Sequence, residues 1–169
     1  MNGYLEIHDG SFRQPFEITK IADTGVAIAP YPSSAQDVQQ MRESGISAVF
    51  NLLGIKEQAQ LDHKRLEMLN ILKERGINFS KNLPIDDTHL DSQASAEAVY
   101  LATQYLNDMI NNKNCNVLIY SASGHTRATS VLIAYLHVFQ KHPKWESIQG
   151  LCDYVASQHD QSLPHMELL

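Results

Sequence analysis

The sequence predicts an α/β domain with a parallel-rich central sheet and helices on both faces. Two observations point there: short apolar runs that read as buried strands, and stretches of helical periodicity that alternate with them. Val26-Ala27-Ile28-Ala29 is the first such run, ended by Pro30 and Pro32. Ser33, with Gln36 three residues on, reads as a capping box opening a helix, and Gly45 as the C′ residue closing it. Ile46 to Leu53 is β-branched and apolar, as a strand covered on both faces would be. Residues 58–75 are rich in helix formers and stop at Gly76, and Ile77-Asn78-Phe79 reads as a short strand.

The second half continues the alternation. Ala98, Leu101, Ala102, Tyr105, Leu106 and Met109 recur at helical spacing and predict one buried stripe. Val117-Leu118-Ile119-Tyr120 is the most strand-like run in the chain, followed by a turn of small residues and a helix over 127–140. A last helix is expected from Pro143, with Trp145 as a core anchor and Ile148, Cys152 and Val155 on the same face. Ahead of all this, Leu5-Glu6-Ile7 and Ser11-Phe12-Arg13 flank Asp9-Gly10, a dipeptide suited to a type I′ turn. Residues 1–20 therefore read as an N-terminal extension carrying a small hairpin, and 21–169 as the domain.

Composition narrows the function classes. A chain of 169 residues, 43% hydrophobic and 19% charged, has enough apolar material for a single core. A net charge of -6 argues against a surface that wraps nucleic acid. No run approaches the roughly 20 apolar residues of a membrane span, and MNGYLEIHDG lacks the start of a signal peptide. Cys115 and Cys152 are too few and too far apart for a disulfide framework or a thiolate metal site. The eight histidines show no ligand spacing; His63, His89, His142 and His159 read as solvated. Asp62-His63-Lys64-Arg65 reads as the exposed face of a helix. No metal or other cofactor is expected, and the expected location is the cytoplasm.

The chemistry-bearing segment is Ser121-Ala122-Ser123-Gly124-His125-Thr126-Arg127, between the strand ending at Tyr120 and the helix that follows. Such a loop can turn successive amides toward an anion at the positive end of a helix. Gly124 permits a turn closed to other residues, and the planar fork of Arg127 suits two oxygens of a phosphate. An ordinary strand–helix connection with a surface arginine is the plainer alternative.

This segment resembles the signature loop of the cysteine-dependent dual-specificity phosphatases, which reads His-Cys, five residues, then Arg. Ser121 to Arg127 has that spacing and Gly124 falls on the family glycine. The resemblance extends over most of the chain: Ala27 to Leu53 is similar to the family's strand–helix–strand entry, ending in the run Val49-Phe50-Asn51-Leu52, and Leu83-Pro84-Ile85-Asp86-Asp87 to its general-acid loop. It implies a three-layer α/β/α sandwich around a mostly parallel sheet of about five strands, with Asp87 at the general-acid position and Arg127 at the phosphate-binding position. Ala128 after the arginine resembles the laforin and glucan-phosphatase branch.

Two residues depart from the pattern. Tyr120 stands where the family has His, and Ser121 where it has the nucleophilic Cys. The family reaction needs a thiolate, which a positive loop readily makes from a thiol with a free pKa of about 8.5. A serine hydroxyl needs an adjacent base instead, and His125 is the only candidate within the loop. Cys115 precedes the signature strand, at the far end from the loop, and Cys152 reads as a small buried hydrophobe. A substrate-trapping change would alter the cysteine alone; loss of the histidine as well favours natural loss of activity.

The expected function is therefore that of a pseudophosphatase: a protein-binding or structural module of a larger assembly, cytoskeletal or other. Two alternatives stand beside it. One is an active phosphatase on phosphoprotein, lipid or glucan held as a Cys-to-Ser variant; the other is a phosphate-recognition module that does not hydrolyse. A phosphate, a sulfate or a partner's acidic side chain is expected within reach of the Ser121–Arg127 amides, with Arg127 facing inward; the competing outcome is Arg127 paired with a neighbouring carboxylate or carbonyl.

Overall fold

The computed structural model describes residues 15–86, 91–122, 126–140 and 147–158. The expected hairpin in residues 1–14, and with it Pro143 and Trp145, lies outside them. A five-stranded sheet runs in the order β1-β2-β5-β3-β4. Its strands are β1 (Thr19–Ile21), β2 (Val26–Pro30), β3 (Ala48–Asn51), β4 (Phe79–Asn82) and β5 (Val117–Ser121). Only β1 is antiparallel, paired with β2; β2, β5, β3 and β4 are mutually parallel. The expected boundary at residue 20 falls inside β1, and Phe16 and Ile18 already pack against the core.

Side-chain alternation explains why the three middle strands are continuously apolar. Val26 and Ile28 of β2, Val117 and Ile119 of β5, and Ala48 and Phe50 of β3 enter one core. The intervening Ala27 and Ala29, Leu118 and Tyr120, and Val49 enter the other. Each face is covered by helices. The larger core takes α4 (Gln93–Asn107), α5 (Thr126–Tyr135) and α6 (Ile148–Gln158), and the smaller takes α1 (Ala35–Glu43) and α3 (Asp62–Glu74). A short helix, α2 (Ile55–Gln60), follows β3 directly. This is the expected three-layer α/β/α architecture.

Local details correct several sequence expectations. The capping box of α1 sits one residue later than read: Ser34 is the N-cap, and Asp37 returns the bond. Asp37 wins over Gln36 because its Oδ2 accepts from the backbone N–H of both Ser33 and Ser34, at 2.7 and 3.1 Å. The single helix expected over 58–75 is two, broken at Leu61, whose side chain is buried. The strand expected at Ile77 begins at Phe79, with Ile77 buried just ahead of it. The α4 stripe holds at Ala102, Leu106 and Met109, but Leu101 is 45% exposed, while Val99 takes a buried place instead. At 100° per residue, Val99 stands nearer the direction of Ala102 and Leu106 than Leu101 does.

Helix ends obey simple stereochemistry. Gly45 and Gly76 adopt φ of +80° and +78° just past α1 and α3, the left-handed turn that a side chain resists. The helix expected over 127–140 begins at Thr126, and its final turn, Leu136–Gln140, widens to a π-helix, as does the end of α4 at Asp108–Asn112. Cys115 and Cys152 are buried and free, Cys152 on the inner face of α6 beside Val155. No helix among the described residues is long and apolar enough to cross a membrane.

Candidate functional site

Register brings the site together. Pro30 of β2 stands opposite Ser121 of β5, and Asn51 of β3 opposite Tyr120, so three parallel strands end side by side. Ligands of open α/β sheets bind at such carboxyl edges, where order reverses between neighbouring strands. Here the chain leaves β2 outward to α1 and returns on the other side of β5. The carboxyl end of β5 therefore lies at the switch point.

Ser121 ends β5 and is 1% exposed. Tyr120, one residue earlier, points to the opposite face of the sheet. Its ring meets Tyr31 edge to face, with centroids 5.7 Å apart and planes at 77°. Burial pushes the Tyr120 phenol far above its ordinary pKa, and the neighbouring Tyr31 adds to that. Tyr31 is raised by burial too, with the positive charge of Arg65 opposing. Tyr120 is thus a packing residue on the smaller core. It neither shares a face with Ser121 nor offers a titrating group near neutral pH.

Arg127 opens the first turn of α5 and is 3% exposed. Of the two states expected for it, the structure shows the paired one. Its Nη1 donates to Glu57 Oε2 at 2.6 Å and its Nη2 to Glu57 Oε1 at 2.9 Å, a bidentate ion pair. Nη1 also donates to the carbonyls of Ile85, at 3.1 Å, and Leu52, at 3.5 Å. The arginine side chain is 4% exposed and the glutamate 23%.

Glu57 is set by the turn that follows β3. Asn51 Oδ1 accepts from the Leu53 N–H at 2.9 Å, bending the chain, and Gly54 becomes the N-cap of α2. As the third residue of that helix, Glu57 reaches back so that Oε2 accepts from the Gly54 N–H at 2.7 Å. Gly54 also allows the close approach: a Cβ there would stand 3.3 Å from Glu57 Oε2 and 3.4 Å from the Ile85 carbonyl. The segment carrying Ile85 is held alongside by Ile85 N–H to Leu52 O, at 3.1 Å. Arg127 thereby ties α5 to the β3–α2 turn and to the 83–86 strand extension.

Other sequence-read residues fall as follows. Ala122 is half-buried, its carbonyl accepting from the Tyr31 N–H at 3.5 Å, and Thr126 begins α5. Asp86 is exposed next to the buried Ile85. Asp87, Ser123, Gly124 and His125 lie outside the described residues, as do His89, His142 and His159. Arg65, read as part of an exposed face, is half-buried because its Nη1 turns in to Gln58 Oε1 at 3.3 Å. Gln58 itself is buried by a 2.6 Å bond from Nε2 to the Leu53 carbonyl. No group of three or more potential metal ligands occurs among the described residues.

Sequence reasoning missed Glu57. Its only local signal is its place three residues after a helix cap; the partner lies 70 positions away.

No protein-family model and no curated protein matches the chain. Solved structures do. A kinase-associated phosphatase bearing serine in place of its catalytic-site cysteine superposes with a TM-score of 0.69 at 15% identity, over 93% of this chain and 92% of that one. The active form of Tk-PTP gives 0.67 at 18% identity, over 89% and 90%. A human tyrosine phosphatase-like serine/threonine/tyrosine-interacting protein gives 0.63 at 14%, over 89% of each chain. Likeness of this kind speaks for the backbone, and the fold of this chain is that of the protein tyrosine and dual-specificity phosphatases.

Proposed function

We propose that this chain is a phosphatase-fold domain without phosphatase activity, which acts by binding protein within a larger assembly. The observation that carries this reading is Ser121 at the end of β5, where the fold's chemistry requires a thiolate. A hydroxyl there has no acidity to spare near neutral pH, and a helix N-terminus does not make an alkoxide of it. Tyr120 supports the same reading, because its phenol is committed to an aromatic pair on the far face of the sheet. Ala128 after Arg127 leads us to propose descent from the laforin and glucan-phosphatase branch. Asp87 is then a former general-acid position, and the cytoplasm is the proposed location.

Hydrolysis of a small aryl phosphate tests the proposal. The parent chain is expected to show no turnover above buffer, and Ser121→Cys to gain little, because Tyr120 and the loop depart from the family as well. Parent turnover that survives Ser121→Ala and vanishes in Asp87→Asn would overturn it by revealing another nucleophile. Recovery of full activity by Ser121→Cys alone would favour a phosphatase held as a serine variant.

A further inference from the structure

β4 ends one side of the sheet, and all four of its side chains are exposed. We propose that β4 is a docking edge, to which a partner protein adds an extended segment carrying an acidic and an apolar residue two positions apart. This gives the protein-binding reading above a surface and a class of partner, and it holds whether or not Ser121 is inert.

The backbone supplies the first argument. Phe79 and Lys81 stand in register with Ala48 and Phe50 of β3, and Leu83 N–H continues the ladder to Asn51 O at 2.8 Å. Main-chain groups alternate in direction along a strand, so those of Ser80 and Asn82 point away from the sheet. Among the described residues no bond is made to them. Pro84 has no N–H and ends the edge, which leaves room for an added strand of about five residues. Strand addition of this kind takes its affinity from main-chain bonds and its specificity from alternate side chains.

The side chains supply the second argument. Phe79 and Lys81 share the face of Ala48 and Phe50, which meets α4. Lys81 Nζ lies 4.2 Å from the Tyr105 ring centroid, and Lys113 Nζ 5.3 Å from that of Phe79. Phe79 is 46% exposed, and Leu101, one turn before Tyr105 on the same flank of α4, is 45% exposed. Asp108 neutralises Lys113 at 3.1 Å, whereas Lys81 meets no carboxylate among the described residues. On a chain of net charge -6, this edge therefore presents an uncompensated ammonium beside exposed apolar surface. A carboxylate opposite Lys81 and an apolar side chain opposite Phe79 complement both. Antiparallel pairing is the stronger per residue, and it sets the acid two positions before the apolar residue. A second copy of this chain fits less well. Twofold pairing places Lys81 opposite its own copy or opposite Phe79, and β4 contains no acid to meet it in either register.

The experiment titrates the peptide Ser-Thr-Glu-Thr-Phe-Thr-Ser into the isotope-labelled full chain at low salt and follows the amide resonances. Saturable shifts centred on Ser80 and Asn82 are expected, with a Kd below about 1 mM. Lys81→Glu should weaken binding by about tenfold or more, and a peptide with lysine in place of glutamate should restore it on that variant. Ser80→Pro removes an outward N–H but no ladder bond, so it should abolish binding while the chain stays folded. If that variant does not fold, N-methylation of the central threonine of the peptide, whose amide meets Ser80, supplies the same comparison. Absence of shifts at β4, equal affinity in Lys81→Glu, or undiminished binding of the N-methylated peptide would overturn the proposal. A concentration-dependent dimer that Ser80→Pro dissolves would also overturn it, by giving the edge to a second copy. Hydrolysis of an aryl phosphate by the parent would instead defeat the non-hydrolysing reading and leave the docking edge standing.

Discussion

Cutting the Glu57–Arg127 pair from one side should cost more than removing it whole. In Glu57→Gln, a guanidinium that is 4% exposed keeps the carbonyls of Ile85 and Leu52 but loses its counter-charge. Breaking a fully buried pair costs about 3–5 kcal/mol. Glu57 is 23% exposed and glutamine retains one acceptor, which brings the expected cost to about 2–3 kcal/mol. In a chain of this length that lowers the melting midpoint by about 4–12 °C. Arg127→Met fills a similar volume without charge and leaves behind a carboxylate with access to water and to the Gly54 N–H. In the double variant neither charge is stranded, so it should lie within about 1 kcal/mol of the parent. Urea unfolding of the four proteins closes the cycle, with an expected coupling of at least about 1.5 kcal/mol. Simple additivity of the two single changes, or a Glu57→Gln cost below about 0.5 kcal/mol, would refute the claim that the pair is a desolvated unit.

Three further outcomes follow from the packing. Leu106→Ala in the α4 stripe should cost about 2–5 kcal/mol in urea unfolding, whereas Leu101→Ala should stay within about 0.5 kcal/mol, because only the first is buried. Asp37→Ala should lose about 1 kcal/mol by opening the α1 cap, while Gln36→Ala should be nearly silent; the same denaturation series reads both. Burial raises the folded-state pKa of Tyr31 and Tyr120. Their contribution to stability is therefore complete below the ordinary tyrosine pKa of about 10 and is lost as pH rises beyond it. Phenolate absorbance should show the Tyr120 signal, identified by difference from Tyr120→Phe, only when the chain unfolds in alkali; ionisation with the exposed tyrosines would contradict the packing of that ring.

The layered fold was legible because its signals are local and periodic. Val117 to Tyr120 and Val26 to Ala29 read as two-sided strands from residue type alone, and Gly45 and Gly76 marked helix ends that only a left-handed turn permits. Where the reading slipped, a competition between near neighbours had to be decided in space. Asp37 displaced Gln36 from the cap by reaching two backbone amides. The helix over 58–75 broke at Leu61, which the core buries. Leu101 has the right spacing for the α4 stripe, but the turn of the helix leaves it partly in solvent.

The candidate site divides along the same line. That position 121 carries a hydroxyl is a fact of residue identity, as is the presence of an arginine six residues later. No spacing along the chain says which way that arginine faces. Its partner is 70 positions away, brought close because β3 and β5 are paired and both end at the same edge of the sheet. The sequence by itself determined the chemical groups and the order of the elements, since these depend on side-chain type and on contacts within a few turns. Only the tertiary structure decided that Arg127 answers to Glu57 and that Tyr120 answers to Tyr31, because long-range ion pairs and ring contacts form where distant segments are forced together, and one sequence carries no local trace of them.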